Sequence, residues 1–514
     1  MKQKLDRQPS EATGGQATAY RKRAWVGIAA GIQSPYAGLV AALLAALIVY
    51  LPSTTSWFWQ DDVWYLPAVR HADALTFVRQ AFDFRDTTMP VPAFLEHYRP
   101  LYLTGWLLRY RAFGEHAAAY HVMSIMVHLG NVALVWSIVG RLTRRNLTAT
   151  VAAMVFAIHP AFTLSVVWAS AATDGETLLA SLAVFWFFIK YLDDGRGASA
   201  WYSASVAAYL VALLLHPKAI VAVVPLVLYY AITARPSLRD VRKPAVWGEF
   251  VPFFILGAGY AVVQSYVSAH GHQGELYALG WHNARNFLAY TAIAAMPRWR
   301  FIVDPAWVLY FPDALDPVPL FVGGVVLAAL VVWCFMLDRR HSTMRRFAFL
   351  WFVGAVAPLT TFTPGAVDRD LYIAGPAWAL LVGLAATWVW DALPRAAPAR
   401  VCVAAVLVAA LGLSARETWI YEHDITRRSL VWKSFTQELQ RTYPVLAPGS
   451  TIYVTNAPLT LALFDDLDLA QLVHGFYPGV TARAISDSDP RRSHLGPNEY
   501  LFEYQSGQRV AGEP

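Results

Sequence analysis

The segment YAGLVAALLAALIVYLPSTTSWFWQDDVWYL, residues 36–66, carries the pattern from which the fold can be predicted. Residues 36–52 hold no charged side chain, and an apolar run of this length matches a bilayer core of about 30 Å. Tryptophans follow this run, and their rings favour the headgroup level. The segment therefore predicts a transmembrane helix that ends at the membrane surface beside two carboxylates, Asp61 and Asp62.

Apolar runs of similar length recur along the 514-residue chain, which is 57% hydrophobic and 15% charged. An ordinary soluble domain has about 25% charged residues. We expect about eleven spanning helices and an all-α polytopic membrane protein. The predicted spans are residues 36–52, 119–140, 148–166, 175–192, 201–215, 219–234, 247–267, 318–337, 347–363, 371–390 and 400–415.

Basic residues are concentrated in alternate connections between these spans, as the positive-inside rule requires. They include Lys2, Lys4, Arg21, Lys22, Arg23, Arg141, Arg144, Arg145, Arg235, Arg239, Arg242, Lys243, Arg339, Arg340, Arg345 and Arg346. The net charge of +6 arises from these connections rather than from a basic patch interleaved with aromatic residues, so no nucleic-acid partner is predicted. We expect a multi-pass protein of the cell inner (plasma) membrane, with a cytoplasmic N-terminus and an extracytoplasmic C-terminus.

This topology divides the chain into a basic cytoplasmic tail (1–35), a transmembrane domain (36–415) and an extracytoplasmic C-terminal region (416–514). The first extracytoplasmic loop covers about 53–118 and includes an amphipathic piece at 98–113. A half-length apolar stretch at 287–296 would invert everything downstream if it spanned. In the C-terminal region, Ser450–Thr455 predicts a strand, and the region is expected to form a small α/β appendage.

The acidic pair Asp61-Asp62 is the first candidate for chemistry. Desolvation and like charge at the membrane surface would raise the pKa of one carboxylate, which could then act as a general base on an acceptor hydroxyl. The alternative is that both residues merely end the aromatic belt.

Arg99, which follows Tyr98, is an arginine on the side of the membrane that the positive-inside rule disfavours, and Arg109 and Arg111 lie in the same loop. A guanidinium matches the oxygens of a phosphate. The alternative is contact with lipid headgroups or a surface ion pair.

Further ionisable residues flank later helices. His159 precedes Pro160, while Asp174 and Glu176 open the next predicted span. Ionisable side chains at membrane depth are energetically costly, so these residues suggest a functional site. The alternative is that Asp174 simply stabilises a helix N-terminus. His216-Pro217-Lys218 repeats the His-Pro arrangement, and its lysine is a second candidate for binding phosphate.

The segment Asp368-Arg369-Asp370-Leu371-Tyr372 precedes the tenth predicted span. Arg369 is either neutralised by its two acidic neighbours or faces a common cavity with Arg99 and Lys218. Three cations in one cavity would suit a phosphate or diphosphate at the membrane surface.

Several classes of protein are disfavoured by absent motifs. The sequence has no Walker-type phosphate loop, dinucleotide-binding glycine pattern or HExxH zinc motif, so a nucleotide-driven pump is not predicted. Cys334 and Cys402 both lie inside apolar runs and are expected to be small core residues rather than disulfide partners or metal ligands.

At these motifs the chain resembles the GT-C glycosyltransferases, in particular the protein O-mannosyltransferase-like branch that includes TPR-containing transmembrane O-mannosyltransferases. The resemblance extends over about residues 55–420. Its matching positions are Asp61-Asp62, Tyr98 to Leu101, Tyr120-His121, His159-Pro160, Trp168, Ser170, Asp174, Lys218, Pro225 and Asp368 to Tyr372.

The resemblance implies a sugar donor linked to polyprenyl phosphate, an acceptor protein, lipid or glycan, and contact with membrane lipids. It implies that Asp61 or Asp62 is the base and that attack is direct, with inversion at the anomeric carbon. It further implies phosphate contacts from Arg99, Lys218 and Arg369. It places Tyr98, His159, Asp174 and Tyr372 in the substrate site. No cofactor is required, although the acidic pair leaves room for a divalent metal.

The chain departs from the family pattern at three positions where charged residues are expected, namely Leu164, Ala172 and Ala219. The TPR domain is also missing, and these departures leave the substrate open. A flippase or transporter of a lipid-linked saccharide is the alternative from another class. An O-antigen polymerase or ligase is the alternative enzyme. The helix-end placement of the charges favours the transferase over a transporter, which would need polar residues at the bilayer midplane.

Overall fold

The computed structural model describes residues 36–86, 97–195, 199–234, 247–270, 277–295, 317–337, 342–363, 365–394, 397–457, 467–486 and 488–505. The predicted basic tail, residues 1–35, lies outside these ranges, as do the predicted cytoplasmic basic residues within 235–246 and 338–341. Within the described ranges the chain is predominantly helical and has one small sheet.

The helices are α1 (Ala37–Tyr50), α2 (Asp62–Arg70), α3 (Ala74–Phe82), α4 (Pro100–Phe113), α5 (Ala117–Thr143), α6 (Asn146–Ala157), α7 (Thr163–Val167), α8 (Ala172–Asp194), α9 (Ser199–Leu215), α10 (Val223–Ala234), α11 (Val251–His270), α12 (His282–Ala295), α13 (Pro317–Val331), α14 (Ser342–Val356), α15 (Gly375–Ala392), α16 (Ala397–Thr442) and α17 (Leu467–Phe476). The strands are β1 (Thr451–Thr455), β2 (Thr481–Ala484) and β3 (Glu499–Glu503).

Each predicted span falls on a helix, but the count of eleven crossings is not confirmed. Among the described residues, five helices are long and apolar enough to cross a membrane, or six if the bent pair α6–α7 forms one span. Helices such as α9, with 17 residues, reach only about 25 Å at 1.5 Å per residue. The bend of 52° between α6 and α7 lies at His159-Pro160, where proline interrupts helical hydrogen bonding. The protein is nevertheless a multi-pass membrane protein.

Close helix packing in the membrane domain depends on small residues. At Gly383 on α15, a β-carbon would lie 2.6 Å from the carbonyl oxygen of Thr148 on α6. Only glycine permits this approach, and small residues are the usual means by which membrane helices come together. The half-length apolar stretch predicted at 287–296 falls on α12, which packs against α13.

The first loop is largely helical. Helix α4 covers most of the amphipathic piece predicted at 98–113, and it begins at Pro100, where proline is well tolerated. Its buried face includes Tyr102 and Trp106, which pack with Tyr65 of α2. These aromatic contacts fix the position of α2, and with it the position of the acidic pair, near the ends of the membrane helices.

Helix α16 is much longer than the predicted span at 400–415. It contains 46 residues and passes without a break through the predicted domain boundary at 415/416. Its membrane portion has no buried residue, and Cys402 is exposed there, so the prediction of a core position was wrong for this cysteine. A thiol is apolar enough to face lipid. Cys334 is buried, as predicted.

The C-terminal appendage contains a parallel sheet of order β2-β1-β3, in which Thr451 pairs with Thr481 and with Glu499. Strand β1 confirms the strand predicted at 450–455. Helix α17 connects β1 to β2 in sequence and packs against α2 of the first loop. The appendage therefore rests on the helix that carries the acidic pair.

Candidate active site

Asp62 is a buried carboxylate whose oxygens are all engaged. Its Oδ1 accepts from the backbone N–H of Ser170 at 2.8 Å and from the Ser170 hydroxyl, and its Oδ2 accepts from the N–H of Trp59 at 3.1 Å. Burial raises the pKa of Asp62 to about 7 despite these hydrogen bonds. Asp62 thus joins the first loop to the connection before α8, and both of its oxygens take part in this connection.

Asp61 immediately precedes α2 and is half-buried. Among the described residues, no side chain donates a hydrogen bond to its carboxylate. Burial raises the pKa of Asp61, and the positive charges of Arg369 and Arg99 oppose this rise. The preceding Gln60 has a φ of 48°, a conformation that costs non-glycine residues about 1 kcal/mol or more and is common at functional sites.

The two arginines that act on Asp61 come from distant segments. Arg99 precedes α4, donates to the Tyr65 hydroxyl at 3.2 Å and lies 4.9 Å from the centre of the Tyr102 ring. Arg369 lies 4.8 Å from the centre of the Trp168 ring. Stacking on aromatic rings orients a guanidinium without neutralising it. Both arginines act on Asp61 through their charges, and a cavity that they share with Lys218 stays a prediction.

Lys218 is held between two carboxylates. Its Nζ lies 2.7 Å from Oδ1 of Asp174 and 2.5 Å from Oδ1 of Asp370. The Tyr290 hydroxyl donates to the other oxygen of Asp370 at 3.4 Å. The charge of Lys218 is thus already compensated, and both Lys218 and Asp174 serve first to join their segments.

His159 and His216 form the same local hydrogen bond through Nδ1, but the surroundings of their Nε2 atoms differ. In each, Nδ1 accepts the backbone N–H two residues later, from Ala161 at 3.2 Å and from Lys218 at 3.1 Å. His159 Nε2–H then donates to the carbonyl of Ala294 at 3.0 Å, which fixes it as a structural residue.

His216 differs because, among the described residues, none hydrogen-bonds to its Nε2. Since its Nδ1 accepts a hydrogen bond, the neutral ring carries its proton on Nε2. Burial, followed by the nearby charges of Lys218, His97, Arg99 and Arg369, holds the pKa of His216 well below its usual range. His216 is therefore a neutral hydrogen-bond donor facing the same cations as Asp61.

Two tyrosines predicted for the substrate site have structural partners. The Tyr98 hydroxyl donates to the carbonyl of Phe82 at 3.0 Å, and the Tyr98 carbonyl accepts from Tyr260 at 2.6 Å. Tyr372 is buried, with its hydroxyl 2.7 Å from His128 Nδ1 and 3.2 Å from Asn131 Nδ2. Tyr98 orders the segment before Arg99, whereas Tyr372 lies in the helical core.

The other basic residues of the first loop are also engaged. Arg109 forms an ion pair with Glu176 at the start of α8, and Arg111 donates to the carbonyl of Ala72 at 2.7 Å. Neither joins the group around Asp61. The residues that sequence reasoning missed are Asp370, as partner of Lys218, and His216, as a donor. The repeated His-Pro pair was the available signal for the second.

No group of three or more His, Cys, Asp or Glu residues in the described ranges is arranged to hold a metal ion. Metal independence remains a prediction.

Residues 100–258 match the family model described as dolichyl-phosphate-mannose-protein mannosyltransferase. The mouse protein O-mannosyl-transferase TMTC1 is 28% identical over 171 residues, which make up 31% of this chain and 18% of the mouse protein. Two crystal structures of ArnT from Cupriavidus metallidurans, one apo and one bound to undecaprenyl phosphate, align with a TM-score of 0.49 and 14% identity. They cover 89% and 91% of this chain, and 87% and 90% of their own chains.

The fold and the site define a multi-pass membrane protein with a polar centre where the first loop meets the helix ends. Residues 100–258 are related in sequence to the protein mannosyltransferases, and the resemblance expected from the motifs is thereby confirmed. Arg99, Asp61 and Arg369 lie outside the matched residues, so their roles depend on geometry.

Proposed function

We propose that this chain is a glycosyltransferase that moves a sugar from a polyprenyl-phosphate carrier to an acceptor hydroxyl at the extracytoplasmic face. The observation that carries the proposal is the Asp61 carboxylate, which has no hydrogen-bond donor from another side chain in the described ranges and faces Arg99 and Arg369. The family described by its dolichyl-phosphate-mannose donor supports the same chemistry.

In this reaction Asp61 takes the proton of the acceptor hydroxyl as the hydroxyl oxygen bonds to the anomeric carbon. The bond between that carbon and the phosphate oxygen breaks, and the electron pair leaves with the lipid phosphate. Direct attack inverts the anomeric configuration. A general base of this kind contributes about 100- to 10,000-fold.

The departing phosphate gains negative charge, and the site offers donors for it. Arg99 and Arg369 supply guanidinium groups, and His216 supplies Nε2–H. Donors fixed in place before the reaction stabilise developing charge most effectively. Lys218 has an indirect, positioning role, because it joins the segment after His216 to the segment that contains Arg369.

The test is transfer from a polyprenyl-phosphate-linked sugar in proteoliposomes, with and without EDTA. We expect the wild-type protein to consume donor and glycosylate an acceptor hydroxyl, with no loss of rate in EDTA. Loss of rate in EDTA would contradict the metal-independent mechanism. Movement of labelled lipid across the bilayer without donor consumption would replace the transferase by a flippase.

A further inference from the structure

A cavity of about 360 Å³ lies between the first loop and the C-terminal appendage. One wall comes from α2 and α3, and the other comes from α17 and the turn after it. The size is at the lower end of the range of small-molecule sites. Its lining residues are Trp64, Pro67, Ala68, His71, Ala72, Asp73, Thr76, Phe77, Gln80, Gln471, His474, Gly475 and Pro478.

The wall formed by the appendage is held firmly in place. At Gly475 on α17, a β-carbon would lie 2.5 Å from Cγ of Pro67 on α2, so the two helices touch at a glycine. Arg70 donates to the carbonyl of Gly475 at 2.8 Å, and its guanidinium lies 5.0 Å from the centre of the Phe476 ring. These contacts fix the width of the cavity.

The lining combines aromatic surface with neutral polar groups. Trp64 and Phe77 supply rings. In the described part of the chain, no residue hydrogen-bonds to the side-chain amides of Gln80 and Gln471, and His474 uses only Nδ1, which accepts from the Gly479 N–H at 3.4 Å. Aromatic rings can pack against the C–H faces of a sugar, and the two amides can hydrogen-bond to its hydroxyl groups. The lining therefore complements a neutral sugar.

The cavity lies along α2, close in sequence to the proposed base. Trp64, Pro67, Ala68 and His71 are spaced by three, four and seven residues, which places them on a common face. Asp61 immediately precedes α2, about one helical turn before Trp64, and is not itself one of the lining residues. A saccharide that extends from the cavity past Trp64 would bring a hydroxyl toward the carboxylate.

We propose that this cavity binds a neutral saccharide portion of the acceptor and presents its hydroxyl to Asp61. The inference rests on the proposed transferase function and specifies the acceptor class that the function leaves open. A peptide acceptor fits less well, because a volume of about 360 Å³ is small for an extended peptide segment. Among the described residues, Asp73 is the one Asp or Glu residue that lines the cavity, and its Oδ2 already accepts from the Thr76 N–H at 2.9 Å.

The direct test is saturation-transfer NMR on the full chain in nanodiscs, since detergents with sugar headgroups would compete. The probes are maltose, cellobiose and N,N′-diacetylchitobiose, with a Ser/Thr-containing peptide as competitor. We expect saturation of at least one disaccharide, unaffected by the peptide. The signal should weaken in Gln80→Ala, and it should weaken further in the double variant Gln471→Ala/His474→Ala on the opposite wall, which loses two polar groups.

The matched control is His494→Ala, because His494 is an exposed histidine of the same appendage outside the cavity. It should retain binding. Asp61→Asn should also bind the disaccharide, so the result does not depend on turnover. In transfer to a saccharide acceptor, Gln471→Ala should raise the acceptor KM about fivefold and leave the donor KM unchanged, as expected for one lost hydrogen bond.

Unchanged disaccharide signals in both cavity variants would overturn the proposal. So would a peptide that saturates in place of the disaccharides and loses its signal in the same variants. Failure of the transferase alone would appear as absent turnover with disaccharide binding intact.

Discussion

Asp61 and Asp62 are neighbours in the chain, yet their carboxylates meet different surroundings. Asp62 accepts hydrogen bonds from Trp59 and Ser170 on both oxygens, whereas Asp61 lies in the field of two arginines. A base must have an oxygen available to the proton that it removes. We therefore assign the chemical role to Asp61 and a structural role to Asp62.

Replacing Arg369 by glutamine should move the acid limb of the pH profile of kcat/KM to higher pH. Arg369 is the larger of the two positive influences on Asp61, and its loss leaves the rise caused by burial less opposed. Because the base must be deprotonated, a higher pKa requires a higher pH for activity. Arg111→Gln is the control and should leave the limb in place, and an unmoved limb in Arg369→Gln would contradict the electrostatic account.

Replacing His216 by asparagine should lower kcat by about 100-fold, the scale for loss of one preorganised donor to a developing anion. The asparagine oxygen can still accept a hydrogen bond from the N–H of Lys218, so the local turn is kept while the Nε2–H donor of His216 is lost. His159→Asn is the matched variant, since it loses only a bond to a carbonyl, and it should retain turnover. Equal losses of kcat in the two variants would remove His216 from the site.

At the scale of elements, the site is held together by ion pairs between segments far apart in sequence. Lys218 joins the turn before α10 to α8 through Asp174, and to the segment before α15 through Asp370. Arg109 similarly joins α4 to α8 through Glu176. These pairs join the segments that carry Arg99, Arg369 and His216, so their role is positional.

Replacing Lys218 by methionine should lower the free energy of unfolding by about 3 kcal/mol, since Asp174 and Asp370 both lose the cation that compensates their charge. Lys218→Arg retains the charge and should restore most of the stability. Thermal unfolding in nanodiscs measures both. If Lys218→Met were as stable as the wild type but unable to bind donor, the lysine would contact phosphate directly.

At the scale of the molecule, the orientation in the membrane stays a prediction from the positive-inside rule. A cysteine placed at Ser493, which is exposed in the appendage, should react with an impermeant maleimide in intact cells. The background carries Cys334→Ser and Cys402→Ser. A cysteine at Asn146, next to the basic connection after α5, should react only after permeabilisation. The opposite pattern would invert the topology.

Much of the helical architecture follows from the sequence, because long and predominantly apolar runs such as 119–140 and 175–192 allow few other structures in a membrane. The extension of α16 to Thr442 was not predictable in the same way, since its outer half is polar and is stabilised by contacts with the first loop. Hydropathy also could not separate full spans from short or broken helices such as α9 and α6–α7.

The candidate site was predictable as a set of residues but not as a set of roles. Asp61, Arg99 and Arg369 stand out because charged residues are few in this chain and arginine is disfavoured on the extracytoplasmic side of the predicted topology. The partner of Asp62 is Ser170, 108 positions away, and the second partner of Lys218 is Asp370, 152 positions away. Such pairings depend on helix packing, which a single sequence does not reveal.

The most direct test of Asp61 as the base is the single-turnover rate of sugar transfer for Asp61→Asn beside Asp62→Asn, both in nanodiscs with saturating donor. We expect that Asp61→Asn keeps its thermal stability and loses at least about 100-fold in rate. We expect that Asp62→Asn loses stability first, because an amide nitrogen cannot accept the N–H of Trp59. Full turnover by Asp61→Asn would contradict the assignment of the base.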